Sequence, residues 1–296
     1  MPDFKKANNA PNAVRIKRRR HPDWLKVRIP SGISYNRTRT TLTDNKVNTV
    51  CDEAKCPNIA ECYGRGTATF LIMGDVCTRK CSYCNISSGT PGVLDRQEPG
   101  KIADTVNRLN LNYAVITSVT RDDLTDFGAE HFYHTVIEIR KLRPECKIEI
   151  LTPEFNGNLK LLEHVLESTP YVFNHNIETV RNLFPRVRPE GSYNLSLKVL
   201  EHAANYHPLI KSGLMIGLGE TIEQVRETLH DLRRAGVAIL TIGQYLQPKE
   251  DLLEVEKYYT IQEFNELKDD ALEMEFTHVF SGPLVRSSYH AEEILP

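Results

Sequence analysis

The chain has 296 residues, 40% of them hydrophobic and 26% charged, with a formal net charge of -2. Such a chain is expected to fold as a soluble protein whose core needs no disulfide staples, in one large domain or two ordinary ones. Its longest apolar runs, Ala68 to Met73 and Tyr113 to Ser118, fall far short of the ~20 residues that cross a bilayer, so a membrane span is excluded.

In chain order, the first element is a basic arm. Residues 1–30 carry nine Lys or Arg against Asp3 and Asp23, a balance of +7, and the whole chain stands at -2, so the remainder carries -9. The run Lys17 to Arg20, followed by Pro22, Trp24 and Leu25, suits an acidic protein surface, nucleic acid or plain solvation. The arm lacks the apolar core of a secretory signal, which points to a reducing, cytoplasmic setting for the seven cysteines. Metal or redox chemistry is therefore favoured over disulfides. Residues up to about 60 show no long periodicity, and the polar stretch Tyr35 to Lys46 reads as part of an extension wrapped on the main domain.

From there strand and helix signals alternate. Short runs rich in β-branched or aromatic residues predict strands over Thr67 to Met73, Tyr113 to Ser118, Lys147 to Leu151, Val172 to Ile177, Ser212 to Ile216 and Ile239 to Tyr245. Apolar residues at three- and four-residue spacing predict helices over Ala129 to Leu142, Ser192 to Tyr206, Ile222 to Ala235 and Thr260 to Met274, with a last strand signal at His278 to Ser281. Six strands connected mostly through helices favour parallel pairing with right-handed crossovers, and hence a partial (β/α)6 TIM-like α/β barrel. The expected organisation is an N-terminal extension over residues 1–63, a barrel over 64–250 and a C-terminal extension over 251–296.

Six of the seven cysteines fall into two triplets, Cys51, Cys56 and Cys62, then Cys77, Cys81 and Cys84. Thiolates are soft ligands suited to zinc and iron-sulfur clusters, and loop spacings this short let neighbouring sulfurs face one centre. A structural zinc site takes four ligands, and each triplet offers three. The second triplet, directly after the first barrel strand, therefore suits a cubane cluster with one iron free for a cofactor, at the strand ends where such barrels do chemistry. A shared zinc cluster would prefer paired CxxC motifs, and only Cys81 and Cys84 make one. Cys146 stands alone and reads as a buried inert thiol.

The segment Cys77-Thr78-Arg79-Lys80-Cys81-Ser82-Tyr83-Cys84 resembles the cysteine signature of the radical S-adenosylmethionine enzymes. The upstream segment from Cys51 to Cys62 and the terminal Arg286-Ser287-Ser288-Tyr289-His290-Ala291 resemble the second-cluster motifs of the lipoyl synthase family, and the likeness runs from about Trp24 to Ala291. The resemblance implies a 4Fe-4S cluster on Cys77, Cys81 and Cys84 whose free iron chelates S-adenosylmethionine. The 5'-deoxyadenosyl radical formed there takes hydrogen from an unactivated alkyl carbon, chemistry that the cofactor carries and the protein positions. It also implies an auxiliary 4Fe-4S cluster on Cys51, Cys56 and Cys62, with Ser288 as a fourth and weaker ligand, consumed as sulfur donor. Catalysis is thus laid on Cys77, Cys81, Cys84 and Ser288. Thr117, Ser118, Asn176, Glu178 and Arg188 are implied as S-adenosylmethionine contacts, with Glu178 on the ribose and Arg188 a candidate for the carboxylate. Gly213 to Glu220 resembles the glycine-bearing strand beside adenine; it lacks the third glycine of a dinucleotide fingerprint.

By the same resemblance the chain is a sulfurtransferase that inserts sulfur at carbons 6 and 8 of an octanoyl-lysine. The implied partners are octanoylated lipoyl carrier domains (E2 subunits of 2-oxoacid dehydrogenases and the glycine cleavage H protein) and an electron donor such as ferredoxin or flavodoxin, with no membrane. Other sulfur-inserting enzymes of the superfamily fit less well. A biotin synthase would set its second-cluster ligands inside barrel strands, and a methylthiotransferase would carry an RNA-binding domain after the barrel. A nucleic-acid module would need more stacking aromatics than Phe4 and Trp24 in the arm, so no nucleic acid is expected. A ferredoxin-like electron carrier would need no barrel of this size.

Overall fold

The computed structural model describes Pro22, residues 24–26 and residues 31–294. The run Lys17 to Arg20 lies outside the described residues. Two layers organise the rest: a curved, mostly parallel sheet and the helices that cover its outer face.

The N-terminal extension carries helix α1 (Ile33–Asp44), strand β1 (Asn48–Thr49) and short helices α2 (Val50–Glu53) and α3 (Ile59–Gly64). The polar stretch Tyr35 to Lys46, which shows no long periodicity, is thus mostly helical. Its periodicity is weak because Thr38 joins Tyr35 and Leu42 on the buried face, its hydroxyl donating to the Tyr63 carbonyl at 3.0 Å. Strand β2 (Thr69–Ile72) pairs antiparallel with β1 and opens the barrel. A two-stranded parallel pair, β3 (Val76–Cys77) and β4 (Ser87–Ser88), then closes the loop that holds the second cysteine triplet.

The barrel continues with α4 (Glu98–Arg108), β5 (Tyr113–Ser118), α5 (Ala129–Leu142), β6 (Lys147–Leu151), α6 (Leu159–Glu167) and β7 (Val172–Asn174). After α7 (Phe184–Val187) and α8 (Tyr193–Ala204) come β8 (Ile210–Ile216), α9 (Ile222–Arg234), β9 (Ile239–Gln244), α10 (Ile261–Glu273) and β10 (His278–Gly282). Serine or threonine caps start α8, α9 and α10, and the last two carry full capping boxes, Thr221 with Gln224 and Thr260 with Glu263.

Strands β2, β5, β6, β7, β8, β9 and β10 lie side by side in sequence order, every pair parallel. The six expected strands are therefore neighbours, as crossover connections through helices require. A seventh, β10, comes from the C-terminal extension and pairs with β9 from His278 opposite Ile239. Because β1 and β10 stand at the two ends of the sheet and do not pair with each other, the barrel stays open. Strands covered on both faces read as continuous apolar runs, and all of β9 is buried. Among the described residues no helix is long and apolar enough to cross a membrane.

Candidate metal and cofactor site

The carboxyl ends of β5, β8 and β9 and the two extensions surround one cavity of about 520 Å³. That lies within the range of small-molecule sites. Cys51, Cys56, Cys62 and Cys84 line it, together with Thr117, Ser118, Asn176, Glu178, Ser287 and Ser288.

The first triplet is held by tight local turns. Thr49 caps α2 through the Asp52 amide, the Cys56 amide bonds the Cys51 carbonyl at 3.0 Å, and the Cys62 amide bonds the Asn58 carbonyl at 2.9 Å. The second triplet sits in the β3–β4 loop. Cys77 ends β3, its sulfur accepts the backbone N–H of Arg79 at 3.4 Å and of Thr120 at 3.3 Å, and the Cys84 amide returns to the Cys81 carbonyl at 3.1 Å. Such N–H···S bonds tune a metal-bound sulfur.

Burial raises the thiol pKa of Cys51, Cys56, Cys62, Cys81 and Cys84. Cys51 is pushed up by desolvation and then by the neighbouring Cys56 and Cys62. Cys62 reaches about 12, by burial and then Cys56. Cys81 also reaches about 12, where burial outweighs the Arg188 charge and Cys84 and Cys77 add repulsion. Cys84 reaches about 11, by burial first, against the Ile86 amide. Within each triplet the thiols act on one another, and the principal effects do not cross between triplets. Positive iron that displaces these protons relieves that repulsion, so the donors suit a bound cluster. Among the described residues no three His, Cys, Asp or Glu side chains close around a single metal ion.

The strand-end residues meet the cavity as the sequence leads one to expect, with one difference. Thr117 donates to the Leu151 carbonyl at 3.0 Å, and the buried Ser118 hydroxyl has no hydrogen-bond partner among the described residues, as suits a group awaiting a ligand. Glu178 stands at φ 68, held by its amide on the Gly213 carbonyl at 3.0 Å and its carbonyl on the Met215 amide at 2.8 Å. A left-handed backbone at a non-glycine residue that turns its carboxylate into the cavity is a local strain of the kind found at functional sites. Burial raises the Glu178 pKa, while Arg188 and hydrogen bonds from Asn176 and Tyr83 pull it down. Gly213 has no room for a side chain, since a Cβ would meet Thr241 and lie 3.1 Å from Asn176 Oδ1. The difference is Arg188, which is not on the cavity wall. Its guanidinium bonds Glu154 Oε2 at 2.5 Å and Ser196 Oγ at 3.5 Å.

Glu154 also receives Arg79, from the middle of the cysteine motif, and Arg79 bonds Asp122 Oδ2 at 2.7 Å and Oδ1 at 2.8 Å. This buried Arg79–Glu154–Arg188 group locks the second cysteine loop to the end of β6 and to α7. Arg79 is visible within the motif, but Glu154 is a loop residue without any sequence signal.

The terminal motif closes the other side. Ser288 Oγ accepts from Thr69 Oγ1 at 2.7 Å, whereas Ser287 Oγ lies between Asn174 Nδ2 at 2.8 Å and Asn176 Oδ1 at 2.9 Å. Tyr289 and His290 both bond Glu61, beside Cys62, at 3.1 and 2.9 Å. The two serines thus face different surroundings, Ser288 against β2 at Thr69 and Ser287 between Asn174 and Asn176.

An open parallel barrel with a three-cysteine loop at the mouth of its first strand defines a member of the radical SAM superfamily, whose family model matches residues 71–232. The solved structures agree in fold. Methylornithine synthase superposes at TM-score 0.53 with 14% identity over 87% of this chain and 85% of its own. Streptococcus suis SuiB bound to S-adenosylmethionine does so at 0.56 with 13% identity over 75% and 53%. The model of the N-terminal domain of lipoyl synthase matches residues 3–56. The lipoyl synthase of Rubrobacter xylanophilus is 51% identical over 94% of this chain and 88% of its own length, and that of Alcanivorax borkumensis is 50% identical over 92% and 85%. The chain belongs to the lipoyl synthase family. It is a sulfur-inserting radical SAM enzyme that uses S-adenosylmethionine and two 4Fe-4S clusters in lipoate biosynthesis.

Proposed function

We propose that Cys77, Cys81 and Cys84 hold the cluster that binds S-adenosylmethionine, and that Cys51, Cys56, Cys62 and Ser288 hold the cluster that gives up sulfur. The observation that supports this most is the shared cavity, which the first triplet and Ser288 line together with Cys84, Thr117, Ser118, Asn176 and Glu178. When bound, the cluster on Cys77, Cys81 and Cys84 would supply the one-electron chemistry that cleaves the sulfonium and so opens the octanoyl chain to loss of hydrogen. The protein's own residues position and seclude. Glu178 accepts from two ribose hydroxyls, and Thr117, Ser118 and Asn176 offer hydrogen-bonding groups along the wall, whereas Arg188, off the wall and paired with Glu154, acts through its charge on Cys81 and Glu178.

The substrate in this reading is an octanoyl group on a lysine of a lipoyl carrier domain, in E2 subunits or the H protein, with ferredoxin or flavodoxin as reductant in the cytoplasm. The barrel is residues 64–250, flanked by extensions 1–63 and 251–296, the latter lending β10 to the sheet. Anaerobic iron and sulfide analysis, together with the products from S-adenosylmethionine and an octanoyl-lysyl peptide, tests the assignment. Two clusters, 5'-deoxyadenosine and a lipoyl peptide are expected; cleavage without sulfur insertion would overturn the role given to the first triplet.

A further inference from the structure

Inside the barrel, below the cavity, lies an ion pair that the cluster and cofactor assignments leave unused. Lys211 on β8 and Glu149 on β6 are 3.0 Å apart and essentially without solvent exposure, at 1% and 0%. Burying two charges is costly unless each is fully hydrogen-bonded. Glu149 meets that condition with Tyr113 OH at 2.8 Å and Asn174 Nδ2 at 2.8 Å.

The polarity of this group propagates. A carboxylate only accepts, so the Asn174 amide must turn its NH2 edge to Glu149, and its second N–H then reaches Ser287 Oγ at 2.8 Å. Asn174 Oδ1, on the other edge, has no partner among the described residues. Having accepted, the Ser287 hydroxyl gives its one proton to Asn176 Oδ1 at 2.9 Å. That fixes the Asn176 amide with its NH2 edge free to donate, and Asn176 and Glu178 line the cavity together. Glu149 thus accepts from Lys211, Tyr113 and Asn174, and from Asn174 a directed run of donors passes through Ser287 to Asn176, beside Glu178.

We infer that Asn174, oriented by the Glu149–Lys211 pair, is a positioning residue that sets two things at once: the terminal serine motif, through Ser287, and the ribose-facing pair Asn176 and Glu178. The inference deepens the proposed function and rests on its assignment of Ser288 to the first triplet. Holding Ser287 fixes its neighbour Ser288 against Thr69, and directing Asn176 keeps Glu178 an acceptor facing the cavity. The relay couples the sulfur-donor side of the cavity to the cofactor side through hydrogen-bond direction alone.

Two measurements test it. In full-length protein carrying Cys77→Ala, Cys81→Ala and Cys84→Ala, only the cluster on the first triplet remains, and its reduced EPR spectrum and rate of iron loss to a ferrous chelator are read. In protein with both clusters, equilibrium binding of S-adenosylmethionine is read. Ser287→Ala and Asn174→Ala are expected to alter the spectrum, to speed iron loss roughly five- to tenfold and to weaken S-adenosylmethionine binding by a similar factor, the scale of one or two lost hydrogen bonds. Ser287→Thr, which keeps the hydroxyl, should restore all three. Glu149→Gln, which removes the charge that orients Asn174 and keeps its shape, should give a mixed spectrum. Variants that only melt earlier, with wild-type spectra, iron loss and binding, would overturn the relay. Ser288→Ala separates the two readings. If it changes the spectrum and Ser287→Ala does not, the relay fails and the ligand assignment stands; if Ser287→Ala abolishes the cluster and Ser288→Ala leaves it intact, Ser287 is itself the ligand and both fail.

Discussion

Thr69 donates its hydroxyl to Ser288 Oγ at 2.7 Å, joining the first barrel strand to the motif at the far end of the chain. The Thr69 backbone also hydrogen-bonds the Cys51 sulfur, so one residue of β2 touches both a thiol of the first triplet and the serine proposed to complete it. Residues far apart in sequence are brought to one edge because β1 pairs with β2 and the terminal segment folds back over the same strand end.

That contact gives the first prediction. A hydroxyl is a harder and poorer partner for iron than a thiolate, so the iron beside Ser288 should be the one most easily lost. Ser288→Cys is expected to retain the cluster, to slow lipoyl formation by an order of magnitude or so, and to leave S-adenosylmethionine cleavage in place. Product analysis by mass spectrometry checks it; unchanged lipoyl yield would remove Ser288 from the ligand set.

Separation of the triplets gives the second. Cys77 Sγ accepts two backbone N–H groups, and Cys81 and Cys84 feel each other and Glu178 but not the first triplet among their principal neighbours. Replacing Cys77, Cys81 and Cys84 together with Ala should abolish 5'-deoxyadenosine formation while about half of the iron remains bound. Residual 5'-deoxyadenosine in that variant would relocate the radical site.

The third concerns Glu154, which is 3% exposed and neutralises both Arg79 and Arg188. Burial would raise its pKa, but the Arg188 charge and then that of Arg79 hold it down, at about 2. Glu154→Gln leaves two buried guanidiniums without their shared counter-charge, so it should cost about 3–5 kcal/mol of stability and loosen the cysteine loop that Arg79 anchors. Anaerobic denaturant unfolding reads the loss. A Glu154→Gln protein as stable as the parent would mean that Asp122 alone suffices for Arg79.

A fourth follows from His175, buried between β7 and α8. Its Nδ1–H donates to the Thr152 carbonyl at 2.8 Å, so Nε2 is left to accept from Ser196 Oγ at 3.0 Å, and the ring is neutral. Desolvation, followed by the Arg188 charge, lowers its pKa to about 4 from 6.5. A group depressed on folding contributes stability that is complete above its unfolded pKa and drains as pH falls through the folded one, here between 6.5 and about 4. Stability should fall by about 1 kcal/mol between neutral pH and roughly pH 5.5, and His175→Gln should remove that slope. An unchanged slope in the variant would assign the acid sensitivity to another group.

How far the sequence foretold all this depended on the kind of signal. Strands β5 and β6 and helix α5 match their expected ends because buried parallel strands and an amphipathic helix leave strong local patterns. Helix α1 was hidden by its buried Thr38, and β10 was recognisable as a strand while its place in the barrel was not, since pairing with β9 is a tertiary fact. The two cysteine triplets stood out by their spacing, while Ser288 was implied only by the resemblance of the terminal motif. Glu154, Thr69 and Asn174 were not readable, because a buried loop carboxylate, a strand threonine and a strand asparagine gain their roles only from what the fold sets opposite them.

The last prediction concerns the basic arm, which lies outside the described residues and is argued from charge. Its balance of +7 over residues 1–30 opposes -9 in the rest of the chain. If the octanoyl group arrives on a carrier domain with an acidic surface around its modified lysine, the arm attracts that surface toward the cavity mouth. Attraction of this kind weakens as the Debye length falls from ~10 Å at ~0.1 M salt to ~3 Å at ~1 M. Neutralising Lys17, Arg18, Arg19 and Arg20 should therefore raise the KM for an intact octanoyl carrier severalfold at low salt, with little effect at high salt, and should barely change the KM for a short octanoyl-lysyl peptide. Equal losses on both substrates would assign the arm to support of the fold or of the first triplet, and no loss on either would leave it a solvated tail.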